Sequence, residues 1–370
     1  MIPDDDNRCL RILNALPGVG PVTLNRLLEY FGNDPRAILK ASAASLSRVR
    51  GVGDNLCDVI THWQSHADLE KEDKKLAAMN ARWISRSDEQ FPALLRELPD
   101  TPIGLYARGD GVVSPKAVAI VGTRRPTLYG REVATRLGYE LAQLDFWVVS
   151  GGARGIDSCA HEGALKAGGK TAAVLGCGLD IVYPPENLDL FKKIADTGVV
   201  LTEFAPGRKA DKQTFPQRNR LISGMTLATV VVESGARGGS MLTANFAADQ
   251  GRQVFAVPGR IDQESSRGCN ALIREGATLL TGVDDILEAL QFEGSIRKTQ
   301  TPAQSSLPIA DLSETEFLIL KQLEAGALRT ADEIAAATNL PIATCSSTLL
   351  MLELKKCAVK HTDGRYEKRN

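Results

Sequence analysis

Ala117-Val118-Ala119-Ile120-Val121-Gly122-Thr123-Arg124-Arg125-Pro126-Thr127 is the stretch that decides the fold. Five apolar residues in a row, without polar alternation, fit a strand buried on both faces, as in parallel sheets. Glycine and threonine end the strand, and a long helical stretch follows. Oriented N–H groups at a helix start beside two guanidinium groups have the chemistry of an anion site. Gly122, Thr123, Arg124 and Arg125 are therefore the first candidate binding residues, with Arg125 favoured over Arg124 as the phosphate contact.

The same pattern repeats outward. Apolar runs at 117–121, 147–150, 172–175, 199–202, 229–232 and 254–257 alternate with helical stretches. This predicts an α/β, Rossmann-like parallel-sheet core with helices on both faces and ligands outside the carboxyl ends of its strands. A second glycine-rich turn, Ser150-Gly151-Gly152-Ala153-Arg154-Gly155-Ile156-Asp157, stands at such an end. Gly151, Gly152 and Gly155 permit close backbone approach and Arg154 adds charge. Asp157 reads as a helix N-cap in preference to a catalytic acid. His161 reads as structural, since no partner stands at triad or metal spacing. Lys170 is a further cation, entering the strand that ends in Gly176-Cys177-Gly178. In Phe215-Pro216-Gln217-Arg218-Asn219-Arg220, Phe215 is either a stacking face for a base or a buried loop anchor, while Arg218, Asn219 and Arg220 carry donors for phosphate or base edges. Gly259 and Asn270, after the 254–257 strand, complete the candidate set.

The chain has 370 residues, 43% hydrophobic and 24% charged, as expected of a globular protein of two or three domains. An acidic start, Met1-Ile2-Pro3-Asp4-Asp5-Asp6, and no apolar run approaching the roughly 18 residues of a membrane span point to the cytoplasm and to no membrane partner. Seven cysteines at scattered spacing support neither disulfides nor a zinc site, so no metal is expected. A net charge of −1 argues against coating duplex DNA by bulk electrostatics. Two segments, 116–131 and 206–220, each carry a net +4, which suits a defined anionic ligand.

The flanks have their own signatures. Leu16-Pro17-Gly18-Val19-Gly20-Pro21 and Val49-Arg50-Gly51-Val52-Gly53-Asp54 each lead into a helix, as in a tandem helix-hairpin-helix module. Such a module either grips phosphate from helix N-termini or serves only for packing. Residues 86–113 read as an irregular connector with short extended pieces at Phe91-Pro92, Leu98-Pro99 and Pro102-Ile103. Residues 293–310 have linker composition. Beyond them, Ser313-Glu314-Thr315-Glu316 is a capping box, Thr330 caps a second helix, Pro341 begins a third, and 359–366 suits a hairpin. Three helices and a wing resemble a winged-helix domain. Its third helix lacks Arg or Lys before Lys355, which favours protein interaction over DNA reading. The domains are thus 1–80, 81–292 and 311–370. No G-x-G-x-x-G follows a strand, and the nearest approach to a P-loop, at 164–171, lacks its first glycine, so no nucleotide cofactor is expected.

In order and spacing, VGTRRPTLYG (121–130), SGGARGID (150–157), LGCGLDIVYPPEN (175–187), FPQRNRLISG (215–224) and FAVPG (255–259) resemble the DprA/Smf family of DNA-processing proteins over about 86–292. Members often carry a helix-hairpin-helix or SAM-like head and a winged-helix tail. The resemblance implies a homodimer that binds single-stranded DNA, displaces or coexists with single-strand binding protein, and loads the RecA recombinase during natural transformation. It implies no catalysis and no catalytic residue. One departure is Gly238, where the family commonly has serine. The competing reading is a Rossmann-like nucleotide-processing enzyme of the phosphoribohydrolase type. Its Pro-Gly-Gly-x-Gly-Thr-x-x-Glu motif is not matched, because Glu233 here precedes the glycines.

Overall fold

Continuous apolar runs become strands here because helices cover both faces of the sheet. The computed structural model of the protein describes residues 2–292, 312–324, 327–355, 357–361 and 363–368. It forms two compact units, Met1–Glu293 and Gly294–Asn370, described separately below. The expected 293–310 linker lies outside the described residues.

Six helices open the first unit: α1 (Asp6–Ala15), α2 (Pro21–Tyr30), α3 (Pro35–Lys40), α4 (Ala43–Leu46), α5 (Asp54–Thr61) and α6 (Leu69–Ala78). Gly20 and Gly53 cap α2 and α5, so both hairpin sequences do turn into helices. Ile12, Leu24, Leu27, Ile38, Leu46 and Ile60 close a core of their own. The head is nonetheless part of the same unit as the sheet. Arg11 Nε donates to Glu72 Oε1 at 2.8 Å, the Tyr106 hydroxyl donates to the same oxygen at 3.1 Å, and Asn14 Nδ2 donates to the Glu203 carbonyl at 2.9 Å.

The core follows as β1 (Ala81–Ser85), β2 (Gly104–Arg108), β3 (Ala117–Val121), α7 (Leu128–Gln143), β4 (Trp147–Ser150), α8 (Ile156–Lys166), β5 (Thr171–Val174), α9 (Leu188–Thr197) and β6 (Val199–Thr202). It continues with α10 (Thr214–Gly224), β7 (Ala228–Val231), α11 (Gly239–Asp249), β8 (Gln253–Ala256), α12 (Arg267–Arg274), β9 (Thr278–Leu279) and α13 (Val283–Ala289). The sheet order is β1-β2-β6-β5-β4-β3-β7-β8-β9. From β6 to β9 all pairs are parallel, as expected, while β1 and β2 add an antiparallel edge. The 86–113 connector is thus not wholly irregular, since β2 lies inside it and pairs Tyr106 with Thr202.

Alternate residues of β3 serve opposite layers. Val118 and Ile120 pack with Leu137 and Leu141 of α7 and Ala160 of α8. Ala119 and Val121 pack with Leu221, Ala244 and Leu272 from the helices on the other face. Chain order runs outward from β3 to β6, then crosses back to place β7 on the other side of β3. Open α/β sheets bind ligands in the crevice at such a switch point.

The second unit contains α14 (Glu314–Gln322), α15 (Ala331–Thr338), α16 (Ile342–Leu354) and the hairpin of β10 (Ala358–Lys360) with β11 (Tyr366–Lys368). Both predicted caps form: Ser313 and Glu316 bond reciprocally, as do Thr330 and Glu333. Ile319, Leu323, Ile334, Cys345, Leu349 and Leu352 are its buried core. This is a winged-helix domain.

Candidate nucleic-acid interface

The switch-point crevice is built around Thr123. Its N–H donates to the Glu233 carbonyl beyond β7 at 2.7 Å, and its carbonyl accepts from Ile156 N at the start of α8 at 3.2 Å. Glu233 also holds the first turn of α7, accepting Thr127 N at 2.9 Å and Thr127 Oγ1 at 2.6 Å while Thr127 Oγ1 caps Gly130 N at 3.1 Å. Strand end and helix start are therefore locked together. Between them opens a cleft of about 420 Å³ lined by Gly122, Thr123, Arg124, Lys212, Phe215, Arg218 and Asn219, with Ser234, Gly235 and Gly238 through Ser240 on the far wall. The Arg124 guanidinium lies over the Phe215 ring, 5.1 Å from its centroid.

Ala153 and Asp157 of the second glycine turn line the cleft, and its glycines do not. Gly155 caps α8 at φ +81°, a conformation that side chains resist, and a β-carbon there would stand 2.5 Å from the Thr123 carbonyl oxygen. Asp157 is not the N-cap. It lies inside the helix and reaches back to accept Gly151 N at 3.1 Å and Ala153 N at 3.3 Å. Burial pushes its carboxyl above the usual range, opposed by the Arg218 charge and these two N–H groups. Arg218 is only 5% exposed, and its Nη1 donates to the Val174 carbonyl at 2.8 Å. A β-carbon on Gly151 would collide with that Nη1, so glycine is required for the guanidinium to take this position. His161 is structural, as read: its Nδ1 meets Thr171 Oγ1 at 2.6 Å, and burial with the Arg218 charge lowers its pKa to about 3.

Other candidates lie elsewhere. Arg220 is a buried ion-pair partner, with Nη2 2.6 Å from Glu203 Oε2 and Nη1 on the Asp100 carbonyl, so its charge is already engaged inside the fold. Lys170 precedes β5 and is at the amino end of the sheet, opposite the cleft, with Nζ 5.7 Å from the Trp147 ring centroid. Arg125, the arginine favoured from sequence, is exposed and does not line the cleft, whereas Arg124 does. Arg154 pairs with Glu186, and Gly152 packs against Phe191. Gly259 and Asn270 bond reciprocally, Gly259 N to Oδ1 at 3.2 Å and Nδ2 to the Gly259 carbonyl at 2.9 Å, as a staple beyond β8 and outside the cleft lining. Phe215 is half-buried and on the cleft wall, so it is neither wholly anchor nor open platform. Sequence reasoning missed Lys212, although its basic segment was legible, and the anchoring role of Asp157.

Residues 82–291 match the model of a protein family described as DNA recombination-mediator protein A. The chain belongs to this family. The winged-helix domain of the family is matched separately, over 301–364. A putative DNA processing protein DprA of Mycobacterium tuberculosis is 36% identical over 348 residues, covering 90% of this chain and 88% of that protein. Among solved structures, DNA processing protein A from Streptococcus pneumoniae superposes with a TM-score of 0.67 at 31% identity, over 78% of this chain and 98% of that one. The Helicobacter pylori protein superposes with a TM-score of 0.52 at 31% identity, over 57% of this chain and 96% of that one. Its structure is described as giving insights into a unique single-stranded DNA binding mode. At the departure from the DprA pattern, a β-carbon on Gly238 would collide with Ser234 Oγ, and Ser240 Oγ donates to Ser234 Oγ at 2.9 Å. Ser234 and Ser240 thus place hydroxyls on this wall without a serine at 238.

Proposed function

We propose that the protein binds single-stranded DNA in the carboxyl-end cleft and acts, without catalysis of its own, as a recombination mediator that protects incoming strands and loads RecA. The observation that carries this reading is the convergence of Arg124, Lys212, buried Arg218 and Phe215 on one cleft at the switch point. Cations suit phosphate, and an aromatic wall suits an unpaired base. Membership of the recombination-mediator family and the single-strand binding ascribed to the Helicobacter relative support the choice of ligand. Homodimerisation through the core, displacement of or coexistence with single-strand binding protein, a cytoplasmic location and a place in natural transformation belong to the same reading.

A nucleotide-processing enzyme is disfavoured by Glu233. That carboxylate is 3% exposed, and both its oxygens hold Thr127, which leaves it badly placed to act on a sugar. The test compares binding of oligothymidine and of a duplex of equal length, alongside RecA filament growth on strands coated with single-strand binding protein. Preference for the single strand and faster filament growth are expected. Equal affinity for both DNA forms would overturn the binding reading, and unchanged filament growth the mediator reading.

A further inference from the structure

The aromatic face that the cleft offers to solvent is not chiefly that of Phe215. Arg124 lies over that ring, and the Gly176 backbone runs along its edge, where a β-carbon would stand 3.1 Å from Phe215 Cδ1. Tyr183 leans on it from the loop after β5, with ring centroids 5.6 Å apart and planes at 45°. Tyr183 itself is 38% exposed, a large apolar surface left at the rim. It borders the small recess that Gly151, Gly176 and Arg218 share beside the main cleft.

The loop carrying Tyr183 is tied down at both ends. Gly178 N donates to the Arg208 carbonyl at 2.9 Å and Ile181 N to the Gly178 carbonyl at 3.0 Å. Asn187 Nδ2 donates to the Gly152 carbonyl at 2.9 Å. A ring held in place before binding loses little freedom when a base stacks on it. An exposed aromatic beside a phosphate-binding cleft is the arrangement by which single strands are held irrespective of sequence.

We propose that Tyr183 is the outward stacking platform of the site, taking the base of the nucleotide next to the one whose phosphate lies at Arg124. Phe215 then serves as the strut that aligns Arg124 with Tyr183. This assignment rests on the cleft being the single-strand site, and it extends that site to two consecutive nucleotides. Stacking needs the ring and not the hydroxyl, so the two parts of the side chain are separable.

The experiment measures anisotropy of labelled oligothymidine and of an abasic oligomer of equal length with wild type, Tyr183→Ala, Tyr183→Phe and Arg124→Ala, each checked by thermal melting. Tyr183→Ala should bind oligothymidine about tenfold more weakly, Tyr183→Phe should bind as wild type does, and the abasic oligomer should not distinguish the three. Wild-type affinity for oligothymidine in Tyr183→Ala would overturn the assignment, as would equal weakening toward both oligomers. Arg124→Ala reports separately on the cleft. Unchanged affinity there overturns the phosphate site, whereas loss there with wild-type binding by Tyr183→Ala overturns only the stacking platform.

Discussion

Arg124 and Arg125 are adjacent and carry the same charge, yet only Arg124 lines the cleft. A charge-assisted phosphate contact is worth about 1.5–3 kcal/mol, against a few tenths for a solvated surface charge. Arg124→Ala should therefore weaken oligothymidine binding about ten- to a hundredfold and Arg125→Ala less than about threefold, as read by anisotropy. Arg220 has a different task. Its loss leaves Glu203, 7% exposed, without its ion-pair partner, and breaking a buried pair costs about 3–5 kcal/mol. Urea denaturation of Arg220→Ala should show a loss of that size, and a change under about 1 kcal/mol would refute the buried-pair account. His161 sets a pH dependence. Its folded pKa of about 3 lies below the ordinary 6.5, so the unfolded chain binds the extra proton first. Stability should be fully present above about pH 6.5 and fall below it by up to about 1.4 kcal/mol per pH unit. His161→Gln should flatten that slope in melts between pH 4 and 7.

Between elements, the decisive joint is Glu233 on Thr127, which ties the end of β7 to the start of α7 and frames the loop carrying Arg124. Thr127→Ala removes an N-cap and leaves a buried carboxylate with one partner fewer. It should cost about 1–2 kcal/mol in denaturation and lower DNA affinity without removing a charge. Undiminished stability would show that the cap is dispensable. The strands 117–121, 147–150 and 199–202 were legible to the residue because a strand buried on both faces is a continuous apolar run. β2 was not: Gly104–Arg108 is short, follows Pro102 and ends in arginine, and only pairing with β1 and β6 makes it a strand. The run Arg218-Asn219-Arg220 misled for a helical reason. On α10 residues two apart point about 200° from each other, so Arg218 and Arg220 cannot both face the cleft. Lys170 misled because its charge outweighed its place: a residue that enters a strand stands at the amino end of the sheet, away from the carboxyl-end crevice.

At the scale of the whole molecule, a chain of net charge −1 gathers Arg124, Lys212 and Arg218 on one cleft. Binding should then depend on a few local contacts, with log affinity falling against log salt by about 0.7 for each phosphate neutralised on a single strand. In the winged-helix domain, Arg365→Ala, whose charge is paired with Asp363, should leave oligothymidine affinity unchanged. The most direct test is a salt titration of oligothymidine affinity for wild type and for the double variant Arg124→Ala, Lys212→Ala, with thermal melts to confirm folding. The account predicts affinity lower by at least about tenfold and a salt slope shallower by about 0.7 to 1.4. Wild-type affinity and slope in the folded double variant would contradict it.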